Sequence, residues 1–255
     1  MAGHSHWAGI KHKKALVDAK RGKLWSKLAK AIIVAAKLGG PDPENNIRLR
    51  AAIDEAKAVS LPKENIQRAI KRGSGEGETE QLDELVYEGY GPGGVAVLAE
   101  VVTDNRNRTS PEIKKIFEVC GGKLGTSGCV AWNFEKKGLF ILPKSNPNKT
   151  QLTESTVMEL ALDAGADDVE ETDDGFEVTC QPDAYESLSN ALQKAGIEPE
   201  ESQLSLMPKD RALVQDVDTA EKVLKLMEML DDHDDVQKVS SNFDMPDEVM
   251  KQLEK

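Results

Sequence analysis

The amino-terminal segment of the chain brings together side chains that could bind a polyanion. Residues 4–14 read HSHWAGIKHKK, and no acidic residue precedes Asp18. Cationic side chains that bind phosphates release condensed counterions, and a flat aromatic ring can stack on an exposed base. The segment therefore predicts a nucleic-acid-binding arm whose ligands are Trp7, Lys11, Lys13 and Lys14.

A helix predicted from Asp18 to Leu38 continues this positive charge as a stripe of lysines. Its lysines follow one another at intervals of 3, 4, 3 and 7 residues, so an α-helix places them on one face. A lysine-rich helix face can also be simply solvated. Because three more cations lie between residues 68 and 72 of the same region, we favour polyanion binding. The predicted ligands on this helix are Lys20, Arg21, Lys23, Lys27 and Lys30.

A second phosphate site is predicted at Arg106 and Arg108, just before a helix capped by Thr109 or Ser110 with Pro111 at its start. Free backbone N–H groups at a helix start favour an anion, and two guanidinium groups would add bidentate contacts. The alternative is that the two arginines form internal salt bridges with Asp104, Glu100 or a neighbouring domain. Both interpretations stay open at this point.

Charge divides the chain into two parts of opposite sign. Residues 1–75 carry 16 Lys and Arg against 6 Asp and Glu, a balance of +10, whereas residues 76–255 have a balance of −22. Charge of one sign concentrated in one region attracts polyanions. The amino-terminal region is therefore predicted to bind DNA or RNA, and the acidic remainder to stay away from phosphate.

Several other patterns do not support a catalytic or metal site. Residues 89–94 match G-x-G-x-x-G, but a strand-like run follows them instead of the helix that a dinucleotide site needs. Residues 231–235, DDHDD, lack calcium-loop spacing and are predicted to form a solvated acidic turn at a helix end. The three cysteines have no C-x-x-C spacing. We therefore predict a non-enzymatic cytoplasmic protein without cofactor, metal, disulfide framework or membrane span.

The periodicity predicts an α+β multidomain fold. Three helices around a small core occupy residues 1–75, the second of them capped by Asp42, and a glycine-rich acidic linker follows. Beyond it, residues 138–209 alternate as β-α-β-β-α-β, which is the split ferredoxin-like pattern, with a hairpin turn at residues 173–175. The segments 79–137 and 210–245 would together form a second ferredoxin-like domain, in which residues 129–134 are predicted as a strand. One α+β domain is thus predicted to be inserted in the other.

Four motifs in order resemble those of the YebC/PmpR family, which includes the mitochondrial translational activator of cytochrome c oxidase subunit I. They are HSHWAGIKHKK (4–14), YEGYGPGG (87–94), TDNRNRT (103–109) and GCVAWNF (128–134). The resemblance covers residues 2 to about 243, and the chain departs from the family pattern at His6 and Gly9.

This resemblance implies a helical domain followed by two α+β domains, one inserted in the other. Bacterial members are described as probable DNA-binding transcriptional regulators, and other members act in translation on the ribosome. We therefore predict a nucleic-acid-binding regulator of gene expression that acts on DNA through its basic region. The alternatives are a ribosome-associated translation factor that binds ribosomal RNA and, from another class, a protein-interaction adaptor. The expected partners are DNA or ribosomal RNA, with the ribosome or the transcription machinery.

Overall fold

A computed structural model describes residues 18–75, 82–144, 152–172 and 175–253. The chain divides into two compact units. One is Phe134–Lys209, and the other contains the described residues on either side of it. The fold is an α+β multidomain fold, with a helical region followed by sheets. Within the described residues, no helix has both the length and the apolar composition needed to cross a membrane.

The helical region contains three helices, α1 (Asp18–Gly39), α2 (Ile47–Ala58) and α3 (Lys63–Gly73). The predicted cap at Asp42 is wrong, because α2 begins after Asn46. The Asn46 side chain is buried, accepts a hydrogen bond from the Leu49 N–H at 3.0 Å and donates to the Ala35 carbonyl at 2.8 Å. The Asn46 side chain thus accepts a hydrogen bond from a free N–H group at the start of α2 and also links this start to α1.

The sheet that follows packs against these helices. It consists of β1 (Asp83–Tyr90), β2 (Ala96–Thr103), β3 (Lys123–Leu124) and β9 (Val236–Ser241), all antiparallel, in the order β3-β1-β2-β9. Helices α4 (Arg106–Val119) and α7 (Val217–Asp231) belong to the same unit. The helical core includes Ile32, Leu49 and Ile66 and extends to Val102 on β2. The chain closes with a parallel pair, β8 (Ala212–Leu213) and β10 (Phe243–Asp244), and with α8 (Asp247–Leu253).

The inserted unit has the predicted ferredoxin-like order. Its elements are β4 (Phe134–Pro143), α5 (Glu154–Asp163), β5 (Ala166–Glu171), β6 (Gly175–Cys180), α6 (Tyr185–Lys194) and β7 (Glu201–Pro208). The strands form an antiparallel sheet in the order β5-β6-β4-β7. Alternate residues of β4 and β6, such as Phe140, Leu142 and Val178, pack on Leu188 and Leu192 of α6 to form the core.

The strand predicted at residues 129–134 is wrong. Residues 129–133 form a turn with a 3-10 helix at Ala131–Asn133, and Phe134 begins β4. The buried Glu88 carboxylate accepts hydrogen bonds from the backbone N–H groups of Gly128, Val130 and Ala131 at 2.7, 3.0 and 2.8 Å. These donors cannot serve a strand ladder, so a side chain from β1 determines the local backbone. Burial alone would raise the pKa of Glu88, but the three N–H donors outweigh it and lower the pKa below its usual value.

Replacing Glu88 with alanine is therefore expected to destabilise the protein by about 2 kcal/mol, because three N–H donors lose a charged acceptor. Thermal unfolding measures this loss, and the emission of Trp132, which is 64% exposed and lies within this turn, reports the local change. Glu84→Ala is the matched control on the same strand, since Glu84 forms an exposed ion pair with Arg48. Equal destabilisation by both variants would contradict the assigned role of Glu88.

Candidate nucleic-acid interface

The predicted arm residues Trp7, Lys11, Lys13 and Lys14 lie outside the described residues. For Lys20 and Arg21, the structure describes the helical backbone of the first turn of α1. The other predicted ligands have described side chains. They lie in two places, on α1 and at the start of α4.

The lysine stripe of α1 lies against the acidic turn, residues 231–235, at the end of α7. Its first described member is Lys23, whose ammonium donates to the Asp232 carbonyl at 3.3 Å. The same ammonium lies 3.3 Å from the Asp234 carboxylate. Because both Lys23 and Asp234 are more than half exposed, this is a solvent-screened ion pair.

The next two lysines of the stripe bind the same turn at more buried positions. Lys27 is buried and donates to the Asp231 carbonyl. Lys30 donates to the Asp234 carbonyl at 3.3 Å and to the Asp235 carboxylate at 2.8 Å. The three lysines predicted as phosphate ligands therefore bind oxygen atoms of the protein itself.

These contacts have a clear electrostatic basis. The last carbonyl groups of a helix lack intrahelical partners and carry partial negative charge, which cations stabilise. The lysines of α1 supply these cations to the carboxyl end of α7. The turn lies at a helix end as predicted, and Asp232 and Asp234 are exposed, but the prediction of a solvated turn is wrong for Asp235, which is buried. Exposed Lys37, at the last turn of α1, has no described contact of this kind.

Asp235 is the centre of the contact. Its side chain is 3% exposed and accepts hydrogen bonds from Lys30 at 2.8 Å and Arg108 at 2.7 Å. The hydroxyl groups of Thr109 and Thr103 also donate to it, at 2.8 and 3.1 Å. Burial alone would raise the pKa of Asp235, but these donors, led by Lys30 and Arg108, lower it far below its usual value. A buried carboxylate with two cations and two hydroxyl donors joins α1, α4 and β2.

The two arginines of the second predicted site form internal ion pairs. Arg106 donates to Asp83 at 2.8 Å, and Arg108 contacts Asp104 at 3.0 Å in addition to Asp235. The carboxylates of Asp235 and Asp104 raise the pKa of the Arg108 guanidinium. This arrangement matches the salt-bridge alternative, and Asp104 is one of the partners named for it.

The predicted cap of α4 is wrong. The helix begins at Arg106 after Asn105, whose side chain accepts a hydrogen bond from the Arg108 N–H at 3.1 Å. Both arginines therefore belong to the first turn and do not precede it. Thr109 is buried within the helix, where its hydroxyl binds Asp235. Sequence reasoning missed this role, because Asp235 lies 126 residues away along the chain.

Helix α3 presents another set of cations. Arg68 and Lys71 are exposed, and Arg72 is partly exposed on the same helix. A groove between α1 and α3 includes Arg68 and Arg72 in its lining. Among the described residues, no group of three or more His, Cys, Asp or Glu side chains is arranged to hold a metal ion. The groove between α1 and α3 is therefore lined by cationic side chains and by the aromatic ring of Trp25.

Comparison with known proteins identifies the family of this chain. Residues 5–76 match the TACO1/YebC protein N-terminal domain, and residues 82–243 match the TACO1/YebC second and third domain. A probable transcriptional regulatory protein of Rhodopirellula baltica is 53% identical over 249 residues, covering 97% of this chain and 98% of that protein. A protein of the same description from Dictyoglomus turgidum is 51% identical over 253 residues, covering 99% of this chain and 100% of that protein.

A solved structure also resembles this chain. It is the crystal structure of a conserved hypothetical protein from Aquifex aeolicus, which is 47% identical and has a TM-score of 0.84. The match covers 95% of this chain and 98% of the other. The two domain matches, the full-length relatives and the shared fold together show that the chain belongs to the TACO1/YebC family.

Proposed function

We propose that this chain is a regulator of gene expression that binds nucleic acid through its basic amino-terminal region. The observation that carries the proposal is the positive balance of 10 charges in residues 1–75, opposed to the acidic remainder. The full-length relatives named as probable transcriptional regulatory proteins support a regulatory role and favour DNA as the partner. Cytoplasmic location is part of the proposal.

The geometry ranks the proposed ligands. Described contacts commit Lys23, Lys27 and Lys30 to the acidic turn and Arg106 and Arg108 to internal carboxylates. These five already have carboxylate or carbonyl partners that a phosphate would compete with, so we place them second. We place the arm first, together with Lys20 and Arg21 at the start of α1. The proposed primary ligands are Trp7, Lys11, Lys13, Lys14, Lys20 and Arg21.

Charge reversal in the arm tests the proposal. The variant Lys11→Glu, Lys13→Glu, Lys14→Glu is expected to bind duplex DNA at least about tenfold more weakly, because several phosphates no longer meet a cation. Fluorescence anisotropy with labelled DNA measures the affinity at salt concentrations from ~50 to ~200 mM. The slope of log K against log salt is negative, and its magnitude should fall by about 0.9 for each phosphate that the variant no longer neutralises.

The matched control carries the same charge change on the acidic part of the chain, Lys115→Glu, Lys194→Glu, Lys209→Glu, at three exposed lysines. This control should keep most of the affinity. Equal reductions of affinity in both variants, or the absence of binding to any nucleic acid, would overturn the proposal and favour the adaptor alternative.

The same proteins distinguish DNA from the ribosome. Co-sedimentation with ribosomes on a sucrose gradient at ~150 mM salt, compared with DNA binding at the same salt, shows which partner the arm selects. Ribosome binding that depends on the arm, without DNA binding, would replace the transcriptional form of the proposal by the translational one.

A further inference from the structure

The groove between α1 and α3 has a volume of about 310 Å³. This volume lies at the lower end of the ~300–1,000 Å³ range of small-molecule sites. Its lining combines an aromatic ring, small side chains and cations. The lining residues that bear on ligand binding are Gly22, Trp25, Ser26, Asn65, Arg68 and Arg72.

Helices α1 and α3 pack closely near the end of α3, whereas the groove beside Gly22 stays open. Near the end of α3, a Cβ atom added at Gly73 would lie 2.4 Å from the Ile33 carbonyl oxygen, so the helices touch there. At Gly22 an added Cβ would meet no atom within 4 Å. Gly22 and Ser26 are one turn apart on α1 and have little side-chain volume. The helices therefore pack closely through their shared core and leave room for a ligand beside Gly22.

The Trp25 side chain supplies a fixed aromatic wall. Its indole N–H donates to the Val59 carbonyl at 3.2 Å, which holds the ring in place and satisfies its polar atom. The ring is partly buried and lines the groove. A ring fixed in this way offers apolar surface on which a planar group can stack with little further loss of side-chain entropy.

Besides Trp25, the groove is lined by polar and cationic groups that suit a nucleotide. Arg68 and Arg72 are one turn apart on α3, and a guanidinium group binds phosphate through paired N–H donors. Ser26 and Asn65 add a hydroxyl and an amide, which can hydrogen-bond to the edge of a base or to a sugar. No described side chain in the lining is acidic. The charge of the groove therefore complements a phosphate.

We propose that this groove binds one nucleotide of a single-stranded nucleic acid, with its base against Trp25 and its phosphate on Arg68, while Arg72 adds positive charge to the lining. The proposal rests on the nucleic-acid-binding function proposed above and names a site for it. Single-stranded nucleic acid is the fitting class, because a base within a duplex has both faces stacked and cannot reach the Trp25 ring.

The first test compares two cations on α3 that differ in position. Arg68→Ala is expected to weaken binding of labelled oligouridylate and oligothymidylate, and to reduce the magnitude of the negative slope of log K against log salt by about 0.7. Lys71→Ala removes the same charge from an exposed residue of the same helix outside the groove, and the salt slope should stay near that of the unmodified chain. Equal effects of both variants would overturn the proposal.

The second test fills the groove and observes the indole directly. Ser26 is exposed, so Ser26→Phe should fold normally while occupying the groove, and affinity for both oligonucleotides should fall about tenfold. In a chain with Trp7→Phe and Trp132→Phe, Trp25 is the remaining tryptophan, and saturating oligonucleotide should quench its fluorescence. Ser26→Phe in that chain should abolish the quenching.

The outcomes separate this proposal from the proposed function. Arm-dependent binding without Trp25 quenching, and with unchanged affinity of Ser26→Phe, would overturn the groove site and leave the proposed function standing. Absence of binding to every nucleic acid would overturn both. Comparison of oligouridylate with oligodeoxyuridylate, which differ only in the 2′-hydroxyl, shows whether the groove prefers the ribose 2′-hydroxyl.

Discussion

Replacing Asp235 with alanine is expected to lower the free energy of unfolding by about 3 kcal/mol, because it removes the shared partner of two cations in a buried site. The carboxylate is 3% exposed and joins Lys30 of α1 to Arg108 of α4. The hydroxyl groups of Thr103 and Thr109 would also lose their acceptor. Urea unfolding followed by circular dichroism measures the effect.

The adjacent residue provides the control. Asp234 is 73% exposed, and its ion pair with Lys23 spans 3.3 Å, so Asp234→Ala should change stability by less than about 1 kcal/mol. The pH dependence gives an independent check. Because the pKa of Asp235 is lowered in the folded state, its stabilisation is complete above the unfolded value of about 4 and is lost as the pH falls below it. Asp235→Asn should remove this part of the acid sensitivity, and an unchanged pH profile would contradict the role given to the carboxylate.

The inserted unit shows what local sequence pattern can predict. Its β-α-β-β-α-β order was predictable, because β6 alternates apolar and polar residues and the two helices have apolar positions one turn apart. The observed β4 starts before residue 138, where the pattern was predicted to begin, since Phe134 to Lys137 pair with β7 in register. That pairing depends on a strand about 70 residues away. The apolar periodicity of the β4 sequence alone does not reveal this partner.

The wrong predictions concern features that the local sequence does not determine by itself. Residues 129–134 have strand-like composition, but the Glu88 carboxylate takes their N–H donors. At the start of α2 and α4, several residues could act as caps, and packing selected Asn46 and Asn105. For residues 129–134, the deciding hydrogen-bond partner is distant in sequence. For the two helix starts, several neighbouring residues could cap the helix with similar energy.

In the candidate site, too, the local sequence does not identify the partner of the lysine stripe. Its spacing correctly placed the lysines on one helix face, yet spacing cannot tell whether that face meets a solvent ion, a phosphate or the protein itself. The partner is the acidic turn, which lies more than 200 residues later in the chain. The opposite charges of the two parts of the sequence were the available signal, because a +10 region and a −22 region can bind each other as well as an external polyanion.

Replacing Lys27 with glutamate is expected to destabilise the protein by about 3 kcal/mol, because it would place a buried negative charge beside the negative end of a helix and an acidic turn. Lys27 is 9% exposed, and its ammonium donates to the Asp231 carbonyl at the carboxyl end of α7. Urea unfolding measures the change in stability. Lys37→Glu, at an exposed position in the last turn of α1, is the control and should be destabilised by only about 0.5 kcal/mol.

Lys27→Met separates charge from packing in this prediction. The methionine retains an unbranched apolar side chain and lacks the hydrogen bond, so this variant should be destabilised by only about 1 kcal/mol. If Lys27→Glu and Lys37→Glu lower the free energy of unfolding by the same amount, the contact between Lys27 and α7 contributes little to stability. Nucleic-acid binding is best measured on Lys27→Met, because weaker binding by Lys27→Glu would follow from disruption of the α1–α7 contact even if Lys27 never touches a phosphate. Unchanged affinity of Lys27→Met would assign Lys27 to the fold, whereas selectively weakened binding with normal stability would show that nucleic acid displaces the acidic turn.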